Sequence, residues 1–100
     1  MTRAIRSIEV TDLEKICRML EDEVYADTGL RGMNGAFAVA KVTDINDGDA
    51  VIGVEWGQQD SGEDFINKDV FIIDRDILDD DSLVLEEKFK HVNKSYSARC

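Results

Sequence analysis

Carboxylates carry most of the chemistry this chain can offer. Asp74, Asp76, Asp79, Asp80 and Asp81 crowd one short stretch, and Glu86 and Glu87 follow closely. Such a cluster supports two kinds of work. It can supply oxygen ligands to a hard divalent cation if the side chains converge on one point, or it can raise a negative potential that draws in a basic surface. Asp74-Arg75-Asp76 and Asp79-Asp80-Asp81 lie where a strand runs into a helix start, which spreads the carboxylates over a solvated face instead of gathering them. The expected site is therefore a partner-binding surface made of these seven residues, with no metal and no cofactor.

Asp44-Ile45-Asn46-Asp47-Gly48-Asp49, with Glu55 at position twelve, has part of a calcium loop's donor pattern. The glycine stands at position five instead of six, and the apolar run Ala50–Val54 belongs to a strand. A hairpin is the better reading, because Asp-Gly suits the positive φ angles of a type I′ turn. Gly29, Gly32 and Gly35 follow a helix and lack a Gly-Lys-Ser/Thr, so they form a connector and no phosphate cradle. His91 is the sole histidine and has no second ligand or nucleophile in recognisable partnership. Cys17 falls on an apolar helical stripe, a poor setting for a nucleophile. No catalytic residue is assigned, and the chain is expected to be non-enzymatic. A metal-dependent enzyme would require the aspartates to converge.

The acidity is segmental. From Asp44 to Glu87 there are 15 acidic residues against Lys68 and Arg75, a net charge of −13, whereas the remainder carries 10 basic and 7 acidic residues, a net +3. Solubility alone does not require that asymmetry. A concentrated negative field attracts basic protein surfaces and repels nucleic acid and anionic membranes.

These side chains must be positioned by a small framework. One hundred residues with 43% hydrophobic content suffice for a single domain around one two-layer core. The apolar runs, such as Val70–Ile73 and Leu83–Leu85, fall far short of the roughly 18 to 20 residues that cross a bilayer, and Met1 to Arg6 lacks a signal peptide's apolar core. Cys17 and the terminal Cys100 make no disulfide framework, so a reducing, cytoplasmic setting is expected, with no membrane contact.

Leu13, Ile16, Cys17, Leu20 and Val24 recur at helical spacing over residues 12–26, and Thr11 with Glu14 forms a capping box. Asp27-Thr28-Gly29 marks the stop. Ile5–Val10 reads as a short strand. Phe37–Thr43 and Val51–Trp56 read as strands of a hairpin, with Ile52, Val54 and Trp56 on one face. Trp56 is assigned to the core; at a sheet edge it would instead make a binding hot spot. Gln58–Asp69 reads as a polar loop, and Val70–Ile73 as a central strand covered on both faces. Over residues 83–96 both helix and strand spacings are present. Helix is preferred, because Asp79 to Ser82 stand at its positive end and Lys88, Lys90 and Lys94 toward its negative end. The expected core comprises Leu13, Ile16, Leu20, Val39, Ile52, Val54, Phe71 and Ile73.

The opening, Ile5-Arg6-Ser7-Ile8 through Asp12-Leu13-Glu14-Lys15-Ile16, resembles the first strand and helix of GNAT-family acetyltransferases over about a quarter of the chain. That family holds the acetyl-CoA pyrophosphate on a glycine-rich turn, and no such turn follows Val70–Ile73, so the activity is not carried over. Ala38–Ile73, with its Val-x-Trp strand after an Asp-Gly turn, has the cadence of a small SH3-like or Tudor-like barrel.

The expected fold is α+β: an N-terminal helix, an antiparallel sheet of three to four strands and a C-terminal helix in two layers. The expected function is that of a small acidic protein-binding module. It would dock Asp74, Asp76, Asp79, Asp80, Asp81, Glu86 and Glu87 on the basic, nucleic-acid-binding groove of a partner protein, in the manner of phage or mobile-element inhibitors that mimic nucleic acid. It would not itself contact nucleic acid, and would be a monomer or homodimer. The alternative is a structural or assembly subunit that uses sheet edges and apolar patches of an SH3-like sheet.

Overall fold

The computed structural model describes residues 11–60 and 63–99. The expected strand at Ile5–Val10 lies outside those residues, as does Cys100.

Helix α1 (Asp12–Asp27) begins as its sequence requires. The Thr11 hydroxyl accepts from Glu14 N–H at 3.2 Å, and the Glu14 carboxylate accepts from Thr11 N–H at 3.1 Å, so two orphan donors are satisfied together. It ends at Thr28, whose N–H bonds Val24 O at 3.0 Å, with Gly29 beyond at φ 78°. Ile16, Cys17, Leu20 and Val24 are its buried stripe.

Four antiparallel strands follow as a meander in the order β1 (Ala36–Ile45), β2 (Asp49–Asp60), β3 (Glu63–Asp74), β4 (Asn93–Arg99). Two short helices, α2 (Arg75–Leu78) and α3 (Leu85–Lys90), fill the connection between β3 and β4. Helix α1 lies against β1 and β2, which makes the two-layer α+β arrangement. Its stripe meets Ala50, Ile52 and Val54 of β2, Phe71 and Ile73 of β3, and Leu78 of α2 in one core. Register explains the choice of residues: Ala50 pairs with Ile73 and Ile52 with Phe71, so side chains two apart on each strand stack on the helix side.

Four expectations are corrected. Val39 is 54% exposed, and Ala38, Ala40 and Val42 turn inward from β1 instead. Helix α1 approaches β1 closely enough at Ala40 for Glu21 to bond its N–H at 3.0 Å, and alanine suits the gap there, while Val42 packs on the core further along the strand. The polar stretch 58–69 is mostly strand: Gln58 pairs with Phe65 and Gln59 with Asp64, because a ladder once in register continues on backbone hydrogen bonds without apolar side chains. The C-terminal helix stops at Lys90, with Val92 N–H closing on Phe89 O at 3.1 Å, and Asn93–Arg99 then forms β4. β4 pairs with β3 from Asn67 to Ile72, giving Val70–Ile73 the neighbour that a central strand needs. Phe71 and Ile73 are buried while Val70 and Ile72 are only half-buried, so β3 is enclosed on its helix side alone.

One glycine of the connector is fixed by geometry as well as by its backbone angle. Gly35 has φ 74°, its carbonyl accepts from Gln59 N–H at 2.9 Å, and a Cβ there would collide with the Gln59 carbonyl. Gly29 has a similar φ but faces open space. Gly29→Ala should cost about 1 to 2 kcal/mol, the usual penalty of a left-handed side-chain residue. Gly35→Ala should cost clearly more in a urea titration. Equal losses in the two variants would show that the Gly35–Gln59 approach is not tight.

Candidate functional site: the acidic end of the sheet

The acidic stretch acquires its shape from the β1–β2 turn. Asn46 N–H bonds Asp49 O at 3.0 Å, while the Asn46 side-chain oxygen accepts from Gly48 N–H at 2.8 Å and from Asp49 N–H at 2.7 Å. This Asx arrangement replaces the expected type I′ turn, and Gly48 is not among the glycines of positive φ. A register shift between Val42 and Asp44 absorbs the difference. The hairpin reading of Asp44–Glu55 therefore holds with another turn chemistry.

Asp49 pairs directly with Asp74, which brings the turn beside the end of β3. Asp74 caps α2, accepting from Asp76 N–H at 2.8 Å. Arg75 ties the two segments: its N–H bonds Gly48 O at 3.0 Å, Nη1 donates to Asn46 O at 3.1 Å, and Nη2 stands 3.5 Å from the Asp79 carboxylate. Asp80 accepts from Ser82 N–H at 2.8 Å and Ser82 Oγ at 2.6 Å, and these bonds hold its carboxyl below the ordinary aspartate value.

Lys88 anchors the whole connection. It is 4% exposed, and its ammonium donates to Asp12 at 2.7 Å and to the Leu78 carbonyl at 2.7 Å, joining α3 to the start of α1 and the end of α2. Sequence placed this lysine toward the negative end of a helix; the fold buries it as an internal tie. Thr11, Asp12, Ile45, Arg75, Asp81 and Lys88 are among the walls of a cleft of about 480 Å³ at this end.

Of the seven residues singled out from sequence, Asp74, Asp76, Asp79, Asp80 and Asp81 are thus gathered at one end of the sheet. Glu86 and Glu87 are exposed on α3, where Lys90 lies 3.4 Å from Glu87, and no hydrogen bond among the described residues links them to the hairpin. The fold adds Asp44, Asp47 and Asp49 from the turn and Asp12 from α1. Membership of the turn aspartates was encoded only in the pairing register, through the match of Ile52 and Ala50 to Phe71 and Ile73, and that of Asp12 in its bond to Lys88. Asp44, Asp47, Asp76 and Asp81 carry exposed carboxylates with no ion-pair partner among the described residues.

Comparison with protein-family models, curated proteins and solved structures finds no match. The site must be read from its own chemistry. Among the described residues no three His, Cys, Asp or Glu side chains converge as metal ligands. No helix among them is long and apolar enough to cross a membrane. Cys17 is buried, and burial, with Glu21 and Glu14 nearby, pushes its thiol above the ordinary value. His91 caps the end of α3 on the surface. Trp56 packs half-buried against the core, and its indole N–H finds no acceptor among the described residues. It borders a recess of about 430 Å³ with the buried Asp69, which Lys94 approaches at 3.3 Å.

Proposed function

We propose that this chain is a non-enzymatic cytoplasmic binding protein whose acidic end docks on a basic, nucleic-acid-binding groove of a partner protein, in the manner of phage or mobile-element inhibitors. The observation that supports it most is the pairing of Asp49 with Asp74, which sets the turn aspartates beside Asp76, Asp79 and Asp81. Carboxylates spread over two adjoining loops concentrate negative charge there, and complementarity of this kind speeds encounter and fixes register. Glu86 and Glu87 extend the surface along α3.

The test is to change Asp44, Asp47, Asp76 and Asp81 together to Asn. None of the four is needed for a cap or an ion pair among the described residues, so the fold should survive. Association with basic proteins recovered from lysate at low salt should slow by about tenfold or more, the scale of electrostatic steering. At high salt the difference should shrink, because a Debye length of about 10 Å at 0.1 M already screens such steering. Unchanged low-salt association would overturn the docking role, and salt-indifferent binding would favour an assembly subunit that uses the open sheet face around Val39.

A further inference from the structure

β1 is the outer strand of the meander, and its far edge pairs with no strand among the described residues. The direction of its backbone groups follows from the ladder. Gly35 O receives Gln59 N–H, and Ala40 N–H is directed away from β2 to Glu21, so the odd positions bond β2 and Ala36, Ala38 and Ala40 face outward. A ten-residue edge of this kind is a template for another strand.

The edge is self-complementary. Antiparallel pairing of two copies about Val39 sets Ala38 of one against Ala40 of the other, with outward groups facing each other on both strands. Val39, 54% exposed, would meet its own counterpart on the open face. Ala38 and Ala40 are small and pack on the core on the helix side. Such a ladder needs Ala40 N–H. In this fold the Glu21 carboxylate accepts that N–H at 3.0 Å, in the place an incoming carbonyl would take.

We propose that Glu21 is a plug for the β1 edge, held out from α1 to prevent antiparallel pairing of β1 with a second copy of this chain. Lys41, exposed on the same strand, and the irregularity between Val42 and Asp44 act in the same sense, since charge and a bulge both disfavour strand addition. A carboxylate serves well here because it satisfies the edge donor while offering no donor of its own to a neighbouring strand.

The test uses the full chain with Cys100→Ser, to remove the terminal thiol, and Val39→Cys as a probe of the pairing. Glu21→Ala should self-associate at least tenfold more tightly in sedimentation than this parent and should form a disulfide through position 39. Glu21→Gln, which keeps an acceptor oxygen in place, should behave as the parent. Glu21→Ala that merely melts earlier without self-association would overturn the proposal and leave Glu21 a helix-to-sheet tie. Cross-linking of the parent as readily as Glu21→Ala would overturn it too. Should Glu21→Ala fail to fold, Glu21→Met decides: it keeps the length of the side chain but offers no acceptor oxygen, so disulfide formation through position 39 faster than in the parent supports the plug, and formation at the parent's rate refutes it.

Discussion

Replacing Ile16 with Ala should lower the unfolding free energy by about 2 to 5 kcal/mol, whereas Ile16→Val should cost only about 0.5 to 1.5 kcal/mol. Ile16 is fully buried, 0% exposed, in the layer between α1 and the sheet. Its removal takes away transfer free energy and leaves a cavity walled by side chains that strands and helix hold in place. The spread in cost reflects how far those walls relax. Urea unfolding measures it, and Val39→Ala supplies the control, since a side chain 54% exposed has little burial to lose. An Ile16→Ala loss no larger than that of the control would show that the helical stripe is not the core.

The Asp12–Lys88 pair should respond asymmetrically to loss of one member or the other. Lys88→Met keeps the aliphatic volume and leaves two groups to accommodate: the Leu78 carbonyl, and Asp12, whose side chain is 38% exposed and can hydrate. A loss of about 1 to 3 kcal/mol follows from the orphaned acceptor. Asp12→Ala leaves the ammonium, 4% exposed, with the carbonyl as its remaining partner. Uncompensated buried charges cost about 3 to 5 kcal/mol. Asp12→Ala should therefore be the more damaging change although aspartate is the more exposed residue. Equal losses, or a larger one for Lys88→Met, would show that water reaches the ammonium freely through the adjoining cleft.

What sequence revealed and what it concealed follow a physical division. Helix α1 was legible because a capping box, an apolar stripe and a terminal glycine all lie within one local segment. The strands were legible in their cores but not at their ends. Gln58 and Gln59 carry no apolar signal, and their pairing with Asp64 and Phe65 rests on backbone bonds that any residue can make. The face of β1 was misread because Val39 is the better core residue by type, while closeness to α1 selects alanine, a constraint visible only once the layers are stacked. Tyr96 and Val92 fit a helical repeat by spacing, yet β3 offered an unpaired edge that local pattern does not report. The seven acidic candidates were found by charge density alone. Asp44, Asp47 and Asp49 joined five of them through register, and the burial of Lys88 among three helices had no precursor in its flanking charges.

The connectivity also governs how the molecule comes apart. Strands β1, β2 and β3 follow one another through short connections and can zip together at small cost in loop closure, whereas β4 returns to β3 across the segment that holds α2 and α3. The Lys88–Asp12 bond, by contrast, joins positions 76 residues apart and needs both α1 and α3 in place. Contacts made after the rate-limiting step leave the folding rate almost untouched and act on escape from the native basin. A clasp that closes late would then act, from near the acidic end, on the lifetime of the folded protein.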